Sequence, residues 1–179
     1  MRHLSHTGML AVAVIAGAVP AKACMTFVPL RAEDVRYADT VVVGRVEKYR
    51  IIRHDPSGRK ADRVVKSPGP IWDYARFEVV VDQVLLGRAP RRLSVTWDNS
   101  TFDEPESMAP GPYLIALRNP ARPIPPLRGP SATIFPAPRA DLPTLLQAPC
   151  SSPFLLPAAG GDADAVRGIL AGKPEPERR

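Results

Sequence analysis

Two cysteines are the residues of this chain whose positions most clearly suggest chemistry. Cys24 follows a short apolar stretch, and Cys150 lies near the C-terminal end of the 179-residue sequence. Two thiols without a neighbouring histidine or third cysteine cannot fill a tetrahedral zinc site. An even pair in an oxidising compartment is instead expected to form a disulfide. The sequence therefore predicts a bridge between Cys24 and Cys150, which would close most of the chain into one loop.

The remaining chemistry-bearing residues do not form a catalytic pattern. His54 is the only histidine after residue 23, and it lies in a polar stretch, where a solvated side chain is expected. No Ser/His or Cys/His arrangement would activate a nucleophile, and no glycine-rich phosphate loop is present. Asp103, Glu104 and Glu106 could bind calcium weakly, but a solvated acidic loop is favoured because EF-hand spacing is missing. The sequence predicts a protein that is not an enzyme and has no cofactor or metal of its own.

Residues 1–23 are predicted to be a secretory signal peptide. Arg2 begins the segment, an apolar run follows over Met9–Val19, and Ala21 and Ala23 supply the small residues that signal peptidase requires. The run is too short to cross about 30 Å of hydrocarbon. We therefore expect an exported protein, periplasmic or secreted, with no transmembrane segment.

Cleavage after Ala23 would make Cys24 the first residue, which raises the alternative of a lipoprotein. Lys22 stands where a lipoprotein signal has a small residue, and Ala21 stands where it usually has leucine. These two departures favour a soluble exported monomer, and lipid anchoring at Cys24 stays open as the less favoured alternative.

The net charge of +6 is modest, and the charges are mixed along the chain. Arg45, for example, is followed by Glu47 and Lys48 within a few residues. This interleaving is typical of a solvated surface rather than of a nucleic-acid interface. The sequence therefore predicts no nucleic-acid partner.

Alternation of apolar and polar residues predicts a chain made mainly of β-strands. Gly44 interrupts a run of valines, and a glycine inside a strand indicates a bulge or a sharp bend, as a small barrel requires. Within the first strand, Val41, Val43 and Tyr49 are expected to share a face. The five predicted strands cover residues 40–52, 74–86, 92–97, 113–117 and 144–149.

Two short helices and a proline-rich loop complete the predicted domain, which covers residues 24–172. Residues 32–38 should form a short helix before the first strand, and Asp162 should cap a helix that runs to Leu170. Eight prolines fall within residues 119–143, which predicts a stiff, partly docked loop with a short edge strand at 132–135. The charged residues 173–179 are expected to be a disordered tail.

Three aromatic residues could lie either in the core or on a binding surface. Trp97 falls on the apolar face of a strand, which favours the core. Trp72 and Tyr74 follow a Pro-Gly-Pro turn, so they could form an exposed binding surface or a lid over one end of the barrel. The exposed arrangement would suit a protein that binds carbohydrate or another ligand, and both alternatives stay open.

Five strands with a short helix before the first predict a five-stranded, OB-type closed barrel, with a short helix at the C-terminus. The chain also resembles the netrin-like and tissue-inhibitor-of-metalloproteinases (TIMP) family over residues 24–155. The likeness is carried by the cysteine after the signal peptide and by the order of four sequence pieces. These pieces are residues 37–46, 76–87, 111–116 and 148–150.

The resemblance implies a function for the mature N-terminus. In TIMPs, the first cysteine chelates the catalytic zinc of a target protease through its free α-amino nitrogen and its carbonyl oxygen. Carried over, Cys24 would be the chelating residue, Met25 would enter the protease's specificity pocket, and Thr26 would complete the N-terminal site. Thr26 stands where the family has a second cysteine, which leaves one bridge instead of two. The implied partner is an extracellular or periplasmic zinc metalloprotease.

Overall fold

The computed structural model describes residues 29–53, 73–97, 105–123, 125–127, 137–148 and 150–172. Within these ranges the chain forms six strands, one 3₁₀ helix and one α-helix. The 3₁₀ helix Ala32–Tyr37 precedes the strands, and α1, Gly161–Leu170, follows them. The strands are β1 Thr40–Ile52, β2 Tyr74–Leu86, β3 Arg92–Trp97, β4 Pro112–Arg118, β5 Thr144–Leu145 and β6 Leu155–Pro157.

The first five strands form a closed barrel in the order β1-β2-β3-β5-β4, and β4 pairs back with β1. β3 and β5 are parallel, whereas the other neighbours are antiparallel. The prediction of a mainly β, OB-type closed barrel is confirmed. One strand is additional: β6 pairs with Tyr113–Ile115 of β4, next to the place where β5 pairs with Leu117 and Arg118.

Two apolar clusters lie on opposite sides of the barrel wall, because successive side chains of a strand point to opposite faces. The inner cluster takes a buried residue from each barrel strand, namely Val42, Phe77, Val95, Ile115 and Leu145. The outer cluster joins the wall to the 3₁₀ helix, to α1 and to the chain before β6, and its members include Val35, Val41, Leu114, Phe154 and Val166. The two helices therefore form a second layer over one side of the barrel.

The bulge expected at Gly44 is present. The pairing of β1 with β2 shifts between Val43 and Gly44, where the extra residue, Asp82, belongs to β2, and it shifts also between Val41 and Val42. A Cβ atom at Gly44 would overlap the Val80 carbonyl oxygen, so only glycine lets the two backbones approach this closely.

A bulge with its extra residue on β1 was not predicted from the sequence. Lys48 has φ of 52°, and the register with β2 shifts between Glu47 and Arg50. The extra residue reverses which side chains point inward, so Val42 before the bulge and Tyr49 after it both pack in the inner cluster. The prediction that Tyr49 shares a face with Val41 is therefore wrong.

Other differences from the predicted elements concern the two helices and the fifth strand. The helix before β1 is a 3₁₀ helix that ends at Tyr37, and the fifth strand is two residues long. The residue at the N-cap of α1 is Gly160 rather than Asp162, with no capping side chain. No helix in the described part of the chain is long and apolar enough to span a membrane. The predicted edge strand at 132–135, the signal segment and the tail 173–179 lie outside the described residues.

Candidate functional site

The residues predicted to form the N-terminal site lie before the described chain. Cys24, Met25 and Thr26 fall outside the described residues, as does Trp72. Pro29 is the first described residue, and the structure shows which residues lie next to it. The candidate site is therefore built from the neighbours of this segment.

The first described residues lie against the segment that contains Cys150. A small cavity is lined on one side by Pro29–Arg31 and Asp34, and on the other by Ala148, Ser151 and Phe154. Leu30 and Phe154 are both buried in the outer cluster, with 7% and 1% of their surfaces exposed. The N-terminal segment and the chain around Cys150 therefore form one packed unit on the outside of the barrel.

Cys150 is fully buried, with φ of 58°, and its sulfur is not a free thiol. The pairing with Cys24 stays a prediction, because residue 24 lies outside the described residues.

A chain of hydrogen bonds fixes the segment around Cys150 to the barrel. The Trp97 indole Nε1 donates to Gln147 Oε1 at 3.0 Å, and Gln147 Nε2 donates to the Ser151 carbonyl oxygen at 2.7 Å. Ser151 Oγ in turn donates to the Ala148 carbonyl oxygen at 2.9 Å. Trp97 lies in the core, as predicted, whereas the roles of Gln147 and Ser151 were not predicted from the sequence. The sequence did offer one indication that Trp97 needs a polar neighbour, because an indole N–H requires an acceptor when the ring is buried.

Asp34 is the acidic residue that lines this cavity. Burial raises the pKa of the Asp34 carboxyl above its ordinary value of 3.8, the nearby Arg31 guanidinium partly opposes this, and Glu33 adds to the rise. The folded state therefore holds the Asp34 proton to a higher pH than the unfolded chain does. This contribution to stability is present at acidic pH and is lost as pH rises from 3.8 through the folded-state pKa.

Asp34→Asn should raise the thermal midpoint at neutral pH and leave it nearly unchanged in acid. The amide carries no charge to desolvate, so the penalty at neutral pH disappears. Thermal unfolding across a pH series measures the effect. Asp164→Asn is the control, because Asp164 lies on the exposed side of α1 and pairs with Arg167 at 2.9 Å. A neutral-pH midpoint lower in Asp34→Asn than in the parent would contradict the burial argument.

Asp39 connects the ends of three barrel strands. Its carboxylate accepts from the Asn119 backbone N–H at 2.6 Å and from the Arg122 guanidinium, and its own N–H donates to the Leu117 carbonyl oxygen. A Cβ atom at Gly87 would overlap the Asp39 carbonyl oxygen, and Gly87 has φ of 74°. The Asp39 and Gly87 positions, which carry part of the family resemblance, therefore hold β1, β2 and the end of β4 together.

Tyr74 is buried, with 8% of its surface exposed, at the start of β2. Of the two alternatives left open by the sequence, the exposed binding surface is therefore wrong for Tyr74. Tyr74 pairs with Ile52 of β1, so it lies within the sheet rather than in the turn that precedes it in the sequence.

The outer surface of β1, β2 and β3 carries paired charges. Lys48 Nζ lies 2.9 Å from Glu78, and a guanidinium nitrogen of Arg92 lies 2.8 Å from Glu47. The hydrogen bond from Lys48, the charges of Lys48 and Arg92 and a weaker effect of Arg76 lower the pKa of Glu78. This surface has the mixed, solvated character predicted from the sequence. No group of His, Cys, Asp and Glu in the described ranges could hold a metal ion.

No protein-family model and no curated protein matches this chain. An OB-type barrel is shared by proteins of many unrelated functions. The TIMP-like resemblance therefore stays a prediction that rests on the sequence pieces alone.

Proposed function

We propose that the protein is an exported, non-catalytic binding module that acts through its N-terminal segment. In its sharpest form, the α-amino group of Cys24 inhibits a zinc metalloprotease. The observation that supports this proposal is the packing of Pro29 and Leu30 against the segment around Cys150.

This packing places the start of the described chain close to the predicted disulfide partner. Pro29 follows Cys24 by five positions, and five extended residues span about 18 Å at most. A bridge to Cys150 would hold the amino terminus on the outside of the barrel. Such a fixed terminus loses little conformational freedom when it binds, which favours affinity.

The chemistry of a free amino terminus suits a zinc ligand. An α-amino group has a pKa near 8, so a fraction of it is neutral at physiological pH and can offer its lone pair to a metal. The Cys24 carbonyl oxygen would supply the second ligand atom, displacing the water that a catalytic zinc keeps in its open position. Met25 would then enter the pocket beside the zinc.

The test compares the mature protein beginning at Cys24 with a form that carries one extra alanine before Cys24. The extension turns the Cys24 α-amine into an amide, which has no lone pair to offer zinc, and moves the free amine one residue beyond the cysteine, so inhibition of a sensitive zinc metalloprotease should weaken by roughly a hundred-fold or more. The inhibition constant against a panel of zinc metalloproteases is the measurement. An alanine added after Arg179 is the matched control and should change nothing. Equal inhibition by both N-terminal forms would contradict chelation.

The alternative of a carbohydrate-binding protein now rests on Trp72 alone. Tyr74 is buried, and Trp72 lies outside the described residues. No contact within the described ranges favours this alternative over the N-terminal site.

A further inference from the structure

Two pairs of like charges lie directly across from each other on β1 and β2. In the antiparallel register, Glu47 is opposite Glu78, and Arg50 is opposite Arg76. Residues that are directly opposite on antiparallel strands leave the same face of the sheet, and like charges in that arrangement repel each other. Each pair is therefore stabilised by a counter-ion that lies against both of its members.

The Arg50–Arg76 pair points outward from the barrel. On each strand, the residues before and after the arginine pack in the inner cluster, so the arginine between them leaves the outer face. These flanking residues are Tyr49 and Ile51 on β1 and Ala75 and Phe77 on β2. Arg50 is exposed and Arg76 is partly exposed, so a ligand can reach both side chains from solvent.

The acidic pair is neutralised by cations of the same surface. A guanidinium nitrogen of Arg92, on β3, lies 2.8 Å from Glu47 and 3.8 Å from Glu78. Lys48, the residue at the bulge, donates to Glu78 at 2.9 Å. Two negative charges are thus matched by two positive charges, and Arg92 bridges the two glutamates.

The arginine pair has no such bridge among the described residues. Neither Arg50 nor Arg76 makes an ion pair with another described residue. Asp141 lies near Arg76, but both of its carboxylate oxygens accept from Arg139, at 2.8 Å each. The hydrogen bond from Arg139 lowers the pKa of the Asp141 carboxyl, and the charge of Arg76 adds a weaker effect. Within the described part of the chain, the charges of the two arginines therefore stay unmatched.

We propose that the Arg50–Arg76 pair binds a phosphate monoester. Arginine binds phosphate through two parallel N–H donors, and the Cβ atoms of opposite residues lie about 5 Å apart, so both guanidinium groups can reach one phosphate. A carboxylate is filled by one guanidinium, as Asp141 is by Arg139. A terminal phosphate has three free oxygens and about 1.5 to 2 negative charges, so it can match both arginines. The proposal does not depend on the function assigned to Cys24.

The first test is a titration of the mature protein with methyl phosphate, followed through the NMR signals of the arginine Nε–H groups. The signals of Arg50 and Arg76 should shift together, with one dissociation constant. Dimethyl phosphate, a diester with a single negative charge, should bind roughly ten-fold more weakly. Equal affinity for the two esters would overturn the assignment to a monoester, and binding of neither would overturn the site.

Arg50→Glu separates loss of the site from loss of the fold. The new carboxylate would face Arg76, so an opposite-charge pair replaces a like-charge pair and the thermal midpoint should rise. The same substitution should abolish binding of methyl phosphate. Arg50→Lys keeps the charge but loses the paired donors, so it should weaken binding by roughly ten-fold. Parent-like affinity in Arg50→Glu would contradict the proposal.

Arg45→Gln is the matched control for Arg50→Gln. Arg45 is also an exposed arginine of β1, but it pairs with Asp82 at 3.3 Å. Five positions along the strand place it roughly 16 Å from Arg50. Both substitutions remove one positive charge, yet only Arg50→Gln should weaken binding, by roughly ten-fold. Equal losses would show attraction to net charge alone and would overturn the proposal.

The same phosphate group could belong to a small free ester or to a lipid. Phosphatidic acid carries a monoester phosphate, whereas phosphatidylglycerol carries a diester. Co-sedimentation with phosphatidylcholine vesicles that contain one or the other distinguishes these sources. Binding of methyl phosphate without binding to either vesicle would assign the site to a free ester. Binding to the phosphatidic acid vesicles alone, lost in Arg50→Glu, would assign it to a lipid.

Discussion

Gly44→Ala should destabilise the protein by about 3 kcal/mol or more and lower its thermal midpoint by about 10 °C. The new Cβ atom would overlap the Val80 carbonyl oxygen and would lie 2.9 Å from Val79 Cγ1. The first of these atoms belongs to the backbone of the paired strand, so β1 and β2 must separate to relieve the overlap. Because both strands belong to the closed barrel, the displacement has to spread through the inner cluster.

Gly161→Ala provides the matched control for this prediction. A Cβ atom at Gly161 would meet nothing within 4 Å, and the residue lies in the first turn of α1. The same chemical change should there stabilise the protein, by about 0.5 kcal/mol, because alanine favours helix more than glycine does. Denaturant unfolding of the two variants measures both effects. If both substitutions changed the free energy of unfolding by a similarly small amount, β2 would have to move away from Gly44 at little cost. That result would contradict the close packing argued for the bulge.

Phe154→Ala should lower the free energy of unfolding by about 3–5 kcal/mol. The ring is 1% exposed and lies in the outer cluster with Val35 of the 3₁₀ helix and Val166 of α1. It also lines the cavity beside Pro29 and Leu30. Truncation would therefore remove the contact that joins the helical layer, the N-terminal segment and the barrel wall.

Amide hydrogen exchange distinguishes this local effect from a general loss of stability. In Phe154→Ala, exchange should accelerate most in the 3₁₀ helix and α1. The comparison is Phe77→Ala, in which a ring of the inner cluster, also 1% exposed, is lost. Phe77→Ala should be destabilised to a similar degree. Its amide exchange should not be accelerated selectively in the two helices. A uniform change of exchange in both variants would contradict the division into two apolar clusters.

The sequence alone predicted the strands that have a strong local signal. β1, β2 and β3 begin and end at the predicted residues, because each is rich in apolar and β-branched residues and is followed by polar or turn-forming residues. The bulge at Gly44 was also predicted from local information, since a glycine inside a run of valines is typical of a bulge or of a close approach between backbones. The closed OB-type barrel followed from the number and order of these strands.

Tertiary structure decided the features that have no local signal. β5 and β6 are two and three residues long, and each is a strand only because a different part of β4 pairs with it. The bulge at Lys48 reverses the inward face of β1, although nothing about lysine suggests a positive φ. Tyr74 is a buried residue of β2 that pairs with Ile52 of β1, which a turn-rich sequence context did not show.

The same division holds for the candidate site. The sequence identified Cys24 and Cys150 as the pair to consider, because residue type and compartment are local information. It could not show that Pro29 and Leu30 pack beside Ala148 and Phe154, because those contacts join segments more than a hundred positions apart. Nor could it show that Lys48 pairs with Glu78 and Arg92 with Glu47 across neighbouring strands. Which charges meet depends on strand register, and long-range pairing sets that register.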